Sequence, residues 1–383
     1  MIFSIPQRNI YFSFFVYSFC LGVFFPRIGD LQNQMGIGET TLGLTLLGPA
    51  IGVQISLLFA DKIFSLLGFR WVMCLGVPIL GLALVCSSLT FKPFIFFISL
   101  MLGGFAIGIL EVAVNLEADR IEYKISKKIM NRSHSFWSLG FFCSGLTGAL
   151  FSQMKVSPFV NFSLSLFLGT FLTILFCSKY KPAAERPNSS FNSSLFVKPT
   201  KAVMALVVLT FSPMLLESAS IDWSVIYMRD IFFTPPFING LAIVMVALTQ
   251  FSVRYYADQY VEIYGSEKVS KISVVAMLIG VVSVCFSNSP YLSLVGFVFI
   301  GGGSAVIFPL AMSAAAQKTD RPAAINVASL AQISFLVFLL APPILGFIAE
   351  NFGIRISFAL AFPLLFLSWI CVSSLVSSNG KDL

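Results

Sequence analysis

The sequence predicts an all-α membrane protein of twelve transmembrane helices in two matched six-helix bundles, and composition, apolar run length and the distribution of positive charge all predict it. Hydrophobic residues make up 57% of the 383 and charged residues 11%, against roughly 25% charged in ordinary soluble domains. A water-soluble fold could not hide that much apolar surface. Crossing the hydrocarbon layer takes ~20 apolar residues as helix, and such stretches follow one another at 9–26, 41–60, 71–90, 94–116, 134–152, 158–178, 202–228, 237–256, 270–288, 290–316, 323–348 and 354–376. Backbone groups in lipid must be satisfied within each segment, and runs without period-2 alternation exclude a strand barrel.

Span 1 follows Arg8, and no small-residue cleavage site precedes Pro26 and Arg27, so we expect a retained first helix, not a leader. If the N-terminus is cytoplasmic, nineteen of the 24 Lys and Arg lie on the inner side, Arg254 among them at the end of span 8. The outer side then keeps Arg27, Lys92, Lys155, Arg229 and Arg355. That asymmetry supports the helix count and an orientation with both termini cytoplasmic.

The loops after spans 2 and 8 carry a repeat. Ala60-Asp61 with Gly68 returns as Ala257-Asp258 with Gly265, an offset of 197, and Gly103-Gly104 returns as Gly301-Gly302 at 198. Between spans 6 and 7, Lys179 to Lys201 holds Pro182, Pro187, Pro199 and a Ser/Asn cluster, the composition of a solvated linker. We therefore expect bundles at 1–178 and 202–383 joined by a linker at 179–201. Such duplication suits a transporter with its site between the halves.

Several function classes fall away. The net charge of +7 is spread over loops, with no stripe for nucleic acid. No G-x-x-x-x-G-K-[S/T] segment cradles nucleotide phosphates. One histidine and scattered cysteines do not meet the ligand count of a metal site or a hydrolytic triad. We expect no cofactor and no enzyme.

An acid inside a bilayer costs ~2.5 to 3.5 kcal/mol on insertion scales, which makes it a functional candidate. Glu111 of span 4 falls near mid-membrane, ~13 Å along the helix from Arg120, and Glu217 of span 7 falls in the outer half, ~24 Å from Lys201. Asn115 lies one turn from Glu111 on the same face. We expect these three to bind solute or proton. Asp222 and Trp223 are expected near the outer surface, where Asp222 can meet Arg27 as an outer gate or, with Trp223, anchor the interface. His134, opening span 5, is expected to cap that helix or lie at the interface near the cytoplasm, with a proton relay through its neutral form as the alternative.

With these residues in view, the whole chain resembles the major facilitator superfamily. Ala60-Asp61-Lys62 through Gly68-Phe69-Arg70 resembles a degenerate form of the family's G-x-x-x-D-R-x-G-R-R signature. A closer resemblance is to a bacterial inner-membrane branch distantly related to fucose permease. It is carried by Pro26-Arg27-Ile28, Leu42-Gly43, Gly108 to Glu111 with Asn115, His134 with Ser138-Leu139-Gly140, Glu217 with Asp222-Trp223-Ser224, and Ala341-Pro342-Pro343 with Gly346. The resemblance implies a central cavity lined by helices 1, 4, 7 and 10 and an outer gate closed by helices 1 and 7. It has departures: span 1 has no acid between Asn9 and Pro26, and span 5 lacks the Gly-Pro of the antiporter signature.

The reading is a monomeric secondary transporter of a small polar solute, working by alternating access, with proton-coupled symport as its form. Asp61, Arg70 and Asp258 would latch the cytoplasmic side. Its partners are the solute, protons and the bilayer, and no nucleic acid. The alternatives are a proton-antiport exporter of amphipathic compounds, which 42 Phe would suit, and a membrane receptor that keeps the fold without transporting.

Overall fold

The computed structural model describes residues 5–126, 129–177, 180–184 and 198–376, less the side chains of Ile5, Asp61, Ala323 and Ala324. Residues 185–197, most of the expected linker, lie outside it. Among the described residues every regular element is helical.

Prolines explain where spans break. A proline at i cannot donate to the carbonyl at i−4, and three interruptions fall on such carbonyls. Span 1 stops at Gly22, four before Pro26, and resumes as Phe25–Arg27 and Ile28–Met35. Span 2 is split into Glu39–Thr45 and Leu47–Leu57, with Thr45 four before Pro49. Span 12 is split into Ile354–Ala359 and Ala361–Cys371, with Ala359 four before Pro363.

The other spans are Ala60–Ser88, Pro93–Ile125, Met130–Gln153, Pro158–Cys177, Lys201–Phe232, Pro236–Tyr264, Ser266–Phe286, Pro290–Gln317 and Ala323–Phe352. Several run a turn or more past the apolar stretch that announces them, because a helix continues into water once its polar residues can be solvated. Eleven segments among the described residues are long and apolar enough to cross a membrane, and Met130–Gln153, span 5, is not one of them. At ~36 Å it is long enough. Its hydropathy is lowered by Ser133, Ser135, Ser138, Ser144 and Ser152, all buried against other helices.

Packing repeats between the halves. Span 4 packs on spans 2 and 3, as span 10 packs on spans 8 and 9; span 1 packs on span 5, as span 7 packs on span 11. The halves meet chiefly along two seams, span 5 with span 8 and span 2 with span 11, which the repeat interchanges. Gly68 (φ 67°, ψ 169°) and Gly265 (φ 78°, ψ 154°), the glycines of the 197-residue offset, share a conformation open to glycine. The second feature needs a one-residue correction. A Cβ on Gly104 would strike Pro49 and one on Gly301 would strike Val246, so Gly104 pairs with Gly301 and Pro49 with Val246, both at 197.

The chain begins and ends at one face, here the terminal face. At the opposite face the seam between spans 2 and 11 is tight: a Cβ on Gly43 would lie 2.5 Å from the Pro342 carbonyl oxygen, and one on Gly346 would lie 2.5 Å from that of Glu39.

Candidate functional site

Arg254 is the centre of the site, and sequence reasoning misplaced it. Because span 8 ends at Tyr264 and not near 256, Arg254 sits ~15 Å inside the helix, not at its end. The Gly265 C-cap was the available signal. Its Nη2 donates to Glu217 Oε1 of span 7 (3.3 Å), its Nη1 to Ser138 Oγ of span 5 (3.2 Å) and its Nε to the Ala305 carbonyl of span 10 (3.2 Å). The side chains of Arg254 and Glu217 are 15% and 12% exposed. One guanidinium thus ties both halves together, using three of its five N–H donors. Glu217 lies at mid-length of Lys201–Phe232, deeper than its expected place in the outer half.

Across the seam, Glu111 and Asn115 share a face of span 4 as their spacing predicts. Asn115 Nδ2 donates to Glu111 Oε1 (3.0 Å) and to the Glu111 carbonyl (2.9 Å). The amide is oriented by that bond, so Asn115 Oδ1 accepts from His134 Nε2 (3.1 Å), which assigns the Nε2–H tautomer. His134 therefore joins the site and is not a helix cap at the edge. Its ring also meets Phe14 edge-on at 5.1 Å. Tyr17 of span 1 lies beside Glu111, and Trp137 lies beside Tyr17. Glu111, Asn115 and His134 all stay half-buried.

Toward the opposite face the polar site is capped by apolar side chains: Phe141, Ile221, Val225, Ile243 and Ala247 form a buried cluster, flanked by Phe25, Trp137, Phe142 and Phe338. Arg229 bridges the halves beyond it, its Nη2 donating to Gln32 Oε1 (2.9 Å). The Glu350 carboxylate of span 11 accepts from the Thr40 amide (2.7 Å) at the N-terminus of span 2, where the helix end favours an anion.

The structure does not bring Arg27 to Asp222. Arg27, 2% exposed, donates to Asp30 (2.6 Å), Asn161 (3.1 Å) and the Val156 carbonyl (2.6 Å), all in the first half. Asp222 accepts from Ser218 Oγ (3.2 Å). Trp223 is fully buried and a Cβ on Gly346 would lie 2.9 Å from its ring, so it is no interfacial anchor. The reason is again helix length: span 7 continues to Phe232. The cytoplasmic latch is not assembled either. Arg70 is exposed and sits over the Trp71 ring, while Asp258 accepts from Asn131 Nδ2, tying span 8 to span 5. The Asp61 side chain lies outside the described residues.

No group of three or more His, Cys, Asp or Glu among the described residues could hold a metal ion. The arrangement offers instead paired charges, an amide, an imidazole and aromatic rings at the junction of two helical halves.

Comparison with known proteins agrees with this architecture. The family model described as Major Facilitator Superfamily matches residues 206–381. An uncharacterised MFS-type transporter of Yersinia pestis is 25% identical over 356 residues, covering 92% of this chain and 91% of the relative. Membrane protein MosC of Rhizobium meliloti is 23% identical over 343 residues, covering 90% and 83%. Among solved structures, the nucleoside transporter NupG superposes with a TM-score of 0.71 at 13% identity over 97% of this chain and 98% of that one, and a D-xylose-proton symporter with 0.74 at 10% over 98% and 99%. Family match, relatives over nine-tenths of the chain and shared fold together make this chain similar to transporters of the major facilitator superfamily, whose fold it has.

Proposed function

We propose that the chain moves a small polar solute by alternating access, with its two six-helix halves rocking about Arg254, Glu217, Glu111 and Asn115. The observation that carries this is Arg254, a cation only 15% exposed and bonded to spans 5, 7 and 10, with the buried acid Glu217 among its partners. A charge of this kind inside a bilayer is costly, and here it lies at the meeting of the halves, where opening and closing remodel its surroundings.

Taking the terminal face as cytoplasmic by its Lys and Arg content, the conformation is closed to the outside. The apolar cluster around Phe141 and Ile221 and the contacts Arg229–Gln32 and Glu350–Thr40 seal the outer side. Rocking outward would part these contacts and rebuild others on the inner side, such as the Asn131–Asp258 bond. Proton-coupled symport is supported by the buried acids and by the fold shared with a D-xylose-proton symporter. The aromatic lining of Phe25, Trp137, Phe141, Phe142 and Phe338 favours a second reading, an antiport exporter of amphipathic compounds.

Proteoliposomes given a metabolite mixture and an imposed inward proton gradient test the proposal, with luminal contents read by mass spectrometry. Accumulation of a polar compound that collapses with the gradient is expected. Accumulation only when the gradient is reversed supports the exporter, and no protein-dependent accumulation in either direction sinks both.

A further inference from the structure

Positive and negative charge do not balance around the candidate site. Arg254 is bonded to Glu217, so that pair is neutral. Glu111 is left over, an acid with no cation bonded to it among the described residues. Asn115 turns its amide N–H toward it (3.0 Å). His134 turns its Nε2–H to the Asn115 oxygen, away from Glu111. Asp222, also buried, accepts from Ser218 among the described residues and adds no positive charge.

The opposite wall is different. The offset of 197, fixed by the matching contacts of Gly104 with Pro49 and Gly301 with Val246, puts Phe308 of span 10 where span 4 has Glu111, and Met312 where it has Asn115. Phe308 lies one turn from Ala305, the residue whose carbonyl holds Arg254, and its ring packs against Phe335 at 5.4 Å. Phe335 keeps 47% of its surface. A duplicated fold has thus made one wall acidic and the other aromatic.

We propose that the transported solute is a small organic cation, a protonated amine with its ammonium group on Glu111 and its less polar face on Phe308 and Phe335. The proposal rests on the transport reading above and names its solute class. An ammonium ion suits both walls, since carboxylates and aromatic faces each attract it.

Two matched sets of probes test it on the purified full-length protein by Trp fluorescence: glucosamine, N-acetylglucosamine and glucuronate; and tyramine, 4-hydroxyphenylethanol and 4-hydroxyphenylacetate. In at least one set the amine should give a saturable response at a concentration tenfold or more below its neutral and anionic counterparts. Glu111→Gln should abolish that preference and Glu111→Asp restore part of it, with the unliganded melting temperature of each variant confirming the fold. Phe308→Ala should weaken the amine severalfold while leaving the charge preference. Equal or tighter binding of a neutral or anionic member, no saturable response to either amine, or an undiminished amine response in Glu111→Gln overturns the proposal. If neutral or anionic members bind and are carried into proteoliposomes, the transport reading survives and only the cationic class falls.

Discussion

Replacing Arg254 by Met removes a guanidinium while keeping most of its volume, and the structure lets the cost be worked out. Three hydrogen bonds are lost, to Glu217, Ser138 and the Ala305 carbonyl. The larger effect is the stranded Glu217, whose side chain is 12% exposed. Breaking a buried pair by removing one partner costs about 3–5 kcal/mol. The 3.3 Å separation is longer than the 2.7–2.9 Å usual for a charge-assisted bond, and Glu217 can relieve itself by taking up a proton, so the lower end, about 3 kcal/mol, is expected. Arg254→Met with Glu217→Gln should recover most of that loss, because the remaining amide carries no charge to desolvate. Equilibrium unfolding in SDS of the parent, both single variants and the double variant measures the coupling. Transport should remain lost in the double variant even where stability returns. Strictly additive single effects, or an Arg254→Met protein as stable and active as the parent, would refute the idea that this pair organises the site.

Gly346→Val should open the outer seam, since a Cβ there meets Glu39 O at 2.5 Å and the Trp223 ring at 2.9 Å; higher reactivity of an engineered cysteine at Phe25 toward a membrane-impermeant maleimide is expected, and unchanged labelling contradicts it. Arg27→Ala should act on the first half alone, costing about 2–4 kcal/mol as its buried bonds to Asn161 and Val156 are lost; a change in outer-mouth accessibility without loss of stability would restore the gate role. Asp320, in the loop between spans 10 and 11, is held below its ordinary value of 3.8 by hydrogen bonds from Thr200 and Asn326. A depressed carboxylate contributes stability that is present above its unfolded value and lost as pH falls through the folded one, so acid unfolding below about pH 4 should lose a component in Asp320→Asn, and identical acid profiles would remove the effect.

Some of the site was legible in the chain because the bilayer acts on local windows. Glu111 and Glu217 stand out in apolar runs, and Asn115 shares a helix face with Glu111 by spacing alone. Arg254 was not legible in this way, because it stands at the end of its apolar stretch and passes for a residue at the membrane edge. His134 and Trp223 misled for the same reason: each lies near where hydropathy declines, while the helix around it continues in protein.

The sequence by itself determined the helical class, the number and order of the spans, the duplication at 197 residues and the presence of acids that lipid would not tolerate unaided. Each follows from the cost of exposing backbone or charge to hydrocarbon, which is assessed over ~20 residues at a time. Tertiary structure decided which charges meet. Arg254 joins residues 37 and 116 positions away, while Arg27 and Asp222, close in expectation, face different neighbours. Apolar run length does not fix how far a helix extends or how it is rotated, and a buried ion pair forms only where packing turns both side chains to the same place.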